Sequence, residues 1–109
     1  MGYRSEIVIA VHKDAVDSFE TTCAELIKLA DEKSQFVEYR TEGTFYCWNS
    51  VKWYEDFSGV QDYYHWANVT DSVLYSFIRL GEDADDVEHG GHLDCGMHVE
   101  RTITVPSRI

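Results

Sequence analysis

The stretch Thr44–Trp66, TFYCWNSVKWYEDFSGVQDYYHW, holds nine aromatic residues in 23 positions and all three tryptophans of the chain, Trp48, Trp53 and Trp66. Each such ring brings on the order of 150–250 Å² that folding has to take out of water. The rest of the chain is therefore read as cover for this segment. Thr44 to Tyr54 alternates as a strand. Phe45, Cys47, Val51 and Trp53 fall on one face, and Tyr46, Trp48, Lys52 and Tyr54 on the other. Both faces carry aromatics, so at least one meets something other than water: a helix, a partner or a second copy of the chain.

The flanking elements supply part of that cover. Arg4 to Val11 reads as a strand apolar on both faces, with Ile7, Ile9 and Val11 opposite Val8 and Ala10, which marks a central strand. From Lys13 or Asp14 to about Glu32, Val16, Phe19, Cys23, Leu26, Ile27 and Ala30 form one helical stripe. Asp14 and Asp17 stand where the helix dipole favours carboxylates, and Lys28 and Lys33 where it favours cations. Cys23 on this stripe is a core residue rather than a nucleophile. Gln35–Arg40 is a strand joined to Thr44–Tyr54 by a turn at Glu42-Gly43. A short helix covers Ser58 to Ala67, and Val73–Leu80 is a fourth strand. The acidic turn Gly81–Asp86 follows. A fifth strand starts at Val87-Glu88 and is broken by Gly90-Gly91, and a last strand runs from Leu93 to Val105.

This order predicts a single α+β domain over residues 1–109. Its antiparallel sheet carries two helices on one face in a ferredoxin-like split βαβ pattern, and an extra C-terminal strand extends the sheet. A chain of 109 residues can bury a core without disulfides or metal. With two helices on one face, the other face stays open. Tyr46, Trp48 or their opposites lie there, as a partner surface or a homodimer contact.

Charge narrows the function. Twenty acidic residues against nine Lys and Arg give a net charge of −11. That argues against direct binding to nucleic acid or an anionic membrane, and for a basic partner. Solubility alone would also account for it. No stretch has the length of a membrane helix, and the start lacks the pattern of a signal peptide. Glu6 stands where a myristoylation signal wants Ser or Thr. The sequon Asn68-Val69-Thr70 has no consequence without secretion. Three widely spaced cysteines, Cys23, Cys47 and Cys95, suit a reducing compartment, so a cytoplasmic location is expected.

Three groups of residues could carry chemistry. His89, His92, Cys95 and His98 stand at steps of three and are zinc-ligand types. In a strand, however, His92, Asp94 and His98 face away from Cys95, so convergence needs a bulge at the glycines. Glu82, Asp83, Asp85, Asp86 and Glu88 crowd five carboxylates into seven positions. They lack the spacing of a calcium loop, and read either as a solvated turn or as a surface imitating phosphate charge. Arg4, Arg40, Lys52, Arg79 and Arg101 lie in expected strands, where basic residues pair with cross-strand carboxylates. Otherwise two or three converge beside Tyr46 and Trp48 to hold a phosphorylated ligand. There is no phosphate loop, nucleophile elbow or other catalytic motif, so no catalytic residue is assigned.

Three passages carry a resemblance: Met1-Gly2-Tyr3-Arg4-Ser5-Glu6-Ile7, Val51-Lys52-Trp53-Tyr54, and the run Phe77 to Glu88, FIRLGEDADDVE. Together they resemble a group of small uncharacterised acidic proteins of tailed bacteriophages and prophages. The group brings no activity or catalytic residues, but it implies a context, since small acidic phage proteins often bind and inhibit a host enzyme or defence complex. The expectation is thus a non-enzymatic phage protein in the host cytoplasm, needing no cofactor. It would inhibit a nucleic-acid-handling or anti-phage defence protein through Tyr46, Trp48 and the carboxylates of Glu82, Asp83, Asp85, Asp86 and Glu88. The alternatives are a zinc domain or metalloenzyme on His89, His92, Cys95 and His98, and a small-ligand binder on the open sheet face.

Overall fold

The computed structural model of the chain describes residues 5–29, 35–39, 42–51, 53–54, 56–83, 85–93, 98–99 and 103–104. Strands β1 (Ser5–His12), β2 (Gln35–Tyr39), β3 (Gly43–Val51), β4 (Tyr75–Leu80) and β5 (Val87–Gly91) form one antiparallel sheet in the order β2-β3-β1-β4-β5. The α+β class and the antiparallel sheet are as expected. β1 is central because both its faces are apolar. Ile7, Ile9 and Val11 enter the cluster under the helices, and Val8 and Ala10 enter a second cluster on the opposite side.

The first helical region is three pieces instead of one helix. A 3-10 turn (Lys13–Ala15) is capped by His12 Nδ1, which accepts from the Asp14 N–H at 3.1 Å. Helices α1 (Val16–Thr22) and α2 (Ala24–Leu29) follow, separated at Cys23. Backbone bonding runs through the break, since Cys23 N–H donates to Phe19 O at 2.8 Å and Ile27 N–H to Cys23 O at 3.0 Å. Phe19, Cys23 and Leu26 keep a buried stripe four and three residues apart, which is why the two pieces lie on the sheet as one. The expected end near Glu32 lies outside the described residues.

Helix α3 (Ser58–Val69) buries Val60, Tyr63 and Trp66. It approaches α2 closely at Gly59, where a Cβ would stand 3.2 Å from the backbone of Leu26. A 3-10 turn (Ser72–Leu74), capped by the Asp71 side chain accepting from Val73 N–H, leads into β4 and takes the start of the expected fourth strand.

The helices cover the face that carries Tyr46 and Trp48. These two residues were expected on an open face, but they are 1% and 0% exposed. Alternation from Phe45 to Trp48 separates the two faces correctly, yet it does not say which one receives the helices. Phe19 lies on Tyr46 with centroids 4.6 Å apart and meets Trp66 edge-on at 5.0 Å. Tyr63 stacks on Phe77 at 4.7 Å, and Trp66 meets Tyr75 edge-on at 5.1 Å. The polar ends of the rings reach outward. Tyr46 Oη donates to Glu20 at 2.8 Å and Trp66 Nε1 to Ser18 Oγ at 3.0 Å. Trp48 Nε1 is buried with no acceptor.

The second face is not open either. Val8, Ala10, Phe45, Cys47 and Ile78 are all buried, with Leu80 and Leu93 packed on them. Two short strands, β6 (His98–Val99) and β7 (Ile103–Thr104), pair as a separate two-stranded sheet. They replace the single last strand expected over Leu93–Val105. β7 lies close to β1, whose edges and helix-side face are already occupied, so β7 lies over the second face.

The strand that does extend the main sheet is β5, and it runs through Gly90-Gly91 instead of stopping there. Gly90 pairs with Phe77 and Gly91 with Ser76. Gly91 has φ +73°, and a Cβ there would fall 2.1 Å from the Tyr75 carbonyl oxygen.

Two outcomes are expected in urea titrations. Gly91→Ala combines positive φ with a backbone clash and should cost about 1–3 kcal/mol. Trp66→Phe forfeits a hydrogen bond whereas Trp48→Phe removes an unpaired donor, so Trp66→Phe should be the more damaging by about 1 kcal/mol. Equal losses would contradict this account of the two indoles.

Candidate functional site

The densest polar cluster forms around Arg79, on the helix side of β4. Arg79 Nη2 and Nη1 donate to the two carboxylate oxygens of Asp86 at 2.6 and 3.2 Å. Its Nε donates to Glu88 Oε1 at 3.0 Å, and Nη1 also reaches Ser5 Oγ at 3.2 Å. Glu88 is directly opposite Arg79 in the β4–β5 register, which is the cross-strand pairing expected of a basic strand residue. The other Glu88 oxygen, Oε2, accepts from Tyr64 Oη at 2.7 Å, and that hydroxyl accepts from Trp53 Nε1 at 3.2 Å.

The start of β1, the turn after β4 and β5 thus meet the Arg79 guanidinium directly, and α3 and the residues after β3 join through Glu88. The Arg79 side chain is only 15% exposed. Hydrogen bonds donated to Asp86, and then to Glu88, hold the guanidinium pKa far above its usual range despite burial. Arg79 is a filled site. With two carboxylates on its fork it cannot also take a phosphate, so the convergence of cations beside Tyr46 and Trp48 does not occur at Arg79. Arg4, Arg40, Lys52 and Arg101 lie outside the described residues.

The five carboxylates grouped from the sequence separate into two kinds. Glu82, Asp83 and Asp85 are exposed on the turn. Asp86 and Glu88 are drawn inward onto Arg79, so they do not belong to a freely exposed acidic surface. The turn closes on its own backbone, with Gly81 N–H donating to Asp86 O at 2.8 Å and Asp86 N–H to Asp83 O at 3.0 Å.

The expected metal ligands are not drawn together where they can be placed. His89 is exposed, opposite Ile78 on the second-face side of β5. His92 is exposed just beyond β5, where its N–H donates to Ser72 O at 2.7 Å. Cys95 and the side chain of His98 lie outside the described residues. Among the described residues no group of three or more His, Cys, Asp or Glu is arranged to hold a metal ion. No helix among them is long and apolar enough to cross a membrane.

Trp53 and Tyr64 are members of the cluster that sequence reasoning did not assign to it. Strand alternation put Trp53 with Phe45 and Cys47, but the register of β3 against β1 slips by one residue between Trp48 (opposite Ile7) and Val51 (opposite Ser5). That bulge exchanges the faces and brings Trp53 to the helix side, with centroids 5.9 Å from Tyr63 and 5.7 Å from Phe77. No local pattern in the sequence signals the bulge. No protein-family model, curated protein or solved structure matches the chain.

Two buried acids define the alkaline limit of the fold. Burial, with the Asp62 carboxylate adding to it, pushes the Cys23 thiol up to about 12 from its ordinary 9.0. Burial likewise pushes the Tyr64 phenol up to about 12 from 10.0; the hydrogen bond from Trp53 opposes this and Glu88 adds to it. The unfolded chain gives up these protons at lower pH than the folded one. Their contribution to stability is therefore full below pH 9.0 and is lost as pH rises toward about 12. Urea midpoints should decline across that window, and Cys23→Ala should make the decline shallower. A flat profile would oppose the burial of both groups.

Proposed function

We propose that the protein is a non-enzymatic binding protein of phage origin. In this reading it docks on a host protein that handles nucleic acid, or on an anti-phage defence complex, and inhibits it by occupying a basic surface. The observation that carries the reading is the distribution of charge. Net charge is −11, and the two described cationic side chains, Lys13 and Arg79, are engaged within the fold. Lys13 Nζ lies 3.6 Å from Glu42 Oε1, and Arg79 is held by Asp86 and Glu88. Meanwhile Asp14, Asp17, Glu25 and Asp56 are exposed along the helical side, and Glu82, Asp83 and Asp85 on the turn. A basic groove shaped for phosphates would be attracted to such a surface.

Aromatic contacts no longer support the reading, since Tyr46 and Trp48 are core residues. Charge alone supports it, and that sharpens the test. Affinity capture from host lysate identifies the partner, and titration of the purified pair then measures the electrostatic share. Affinity should fall at least about tenfold between roughly 0.05 and 0.3 M salt, and DNA or RNA should compete. A pair whose affinity ignores salt, or a partner that binds equally well in excess nucleic acid, would remove this function.

A further inference from the structure

Edge strand β5 differs from its neighbours in how it is held. Every residue of β1 from Ile7 to Val11 is buried, and β4 buries Tyr75, Phe77 and Ile78. None of the five residues of β5 is buried. Two of them, Gly90 and Gly91, have no side chain to bury, and Val87 and His89 are exposed. The hydrophobic effect, which fixes the rest of the sheet, therefore has little grip on this strand.

Among the described residues its attachment has three parts. One is the backbone ladder to β4. The second lies just past its C-terminal end. There His92 N–H donates to Ser72 O and Leu93 N–H to Tyr75 O at 3.0 Å, Ser76 Oγ donates to Leu93 O, and the Leu93 side chain packs on the second face. The third is at the N-terminal end, where Asp86 and Glu88 close on Arg79 and Glu88 also receives Tyr64. The unit is thus hinged near Leu93 and fastened at Arg79.

We propose that β5 and the turn before it form a charge-latched unit, which swings from the sheet when Asp86 and Glu88 take up protons while β1, β3 and β4 stay paired. Protonation removes both negative charges from the guanidinium and leaves Arg79 facing neutral carboxyl groups. The described groups facing the latch are Arg79 on β4, Asp86 in the turn, Glu88 on β5, and Tyr64 with Tyr63 behind it on α3. Ser5 on β1 and Trp53 complete the shell and do not titrate in this range. Arg79 and the two phenols keep their protons throughout acidification, so of these described groups only the two carboxylates change state. The closed form is therefore present while both carboxylates are charged and is lost as pH falls far enough for them to take up protons.

Hydrogen exchange read by mass spectrometry on the whole chain tests this, with exchange times rescaled for the pH dependence of intrinsic exchange. Between about pH 7 and pH 3, residues 82–91 should lose protection at least about tenfold, while 7–11 and 44–48 keep theirs. Glu88→Gln keeps one acceptor oxygen where Glu88 uses two, for Arg79 and Tyr64, and removes one charge. It should weaken protection of 82–91 at neutral pH and flatten the acid response. The proposal is overturned if 82–91 is unprotected at neutral pH, if it stays protected at about pH 3, or if it opens only together with 7–11. Exchange in Glu88→Gln identical to wild type at every pH would overturn it as well. The wild-type series decides even if the variant folds poorly.

Discussion

The layer of rings between the sheet and the helices fixes the position of almost everything else. Phe19 enters it from α1, Tyr63 and Trp66 from α3, Tyr46 and Trp48 from β3, and Tyr75 and Phe77 from β4. Rings meeting at 4.6–5.1 Å leave little freedom to slide. Helix pieces that would be marginal in isolation, α1 at seven residues and α2 at six, are stable here because Phe19, Cys23 and Leu26 are held in that layer. Once the layer forms, β1 and β4 must lie side by side, and the turn between β4 and β5 follows.

Much of this is visible in the sequence, and the failures have physical causes. β1 is legible because five consecutive apolar residues demand burial on both sides. The stripe through Phe19, Cys23 and Leu26 is legible because its spacing survives a local break in the helix. The direction of Tyr46 and Trp48 was not legible. Phe45 and Cys47 are apolar as well, and choosing between two apolar faces requires the path of the chain between strands. Gly90-Gly91 misled for a related reason. Glycine marks a strand break when only local propensity acts, but here it admits the Tyr75 carbonyl and the Phe77 ring. The pairing of Arg79 with a cross-strand carboxylate was foreseeable from residue type, whereas the approach of Trp53 and Tyr64 depends on a bulge in β3 between Trp48 and Val51 that has no local signature.

The charges divide the molecule into an inner and an outer set. The inner set is small and fully paired: Arg79 with Asp86 and Glu88, supported by Ser5, Tyr64 and Trp53. It fastens elements together, and low exposure at Arg79 makes it worth more than an ordinary surface ion pair. The outer set consists of exposed carboxylates spread over the helical side and the turn, such as Asp14, Glu25, Glu82 and Asp85.

The placement of the three indoles has one more consequence. Trp48, Trp66 and Trp53 all belong to the ring layer on the helix side, and the cluster on the second face contains none. Intrinsic emission from this protein therefore reports on one side of the sheet. Separation of the helices would change it strongly, with Trp53 the indole nearest the Arg79 cluster. Rearrangement of the cluster of Val8, Phe45 and Ile78, or of Leu93 packed on it, would go almost unseen, so a chain that looks native by its tryptophans can still have lost its other face.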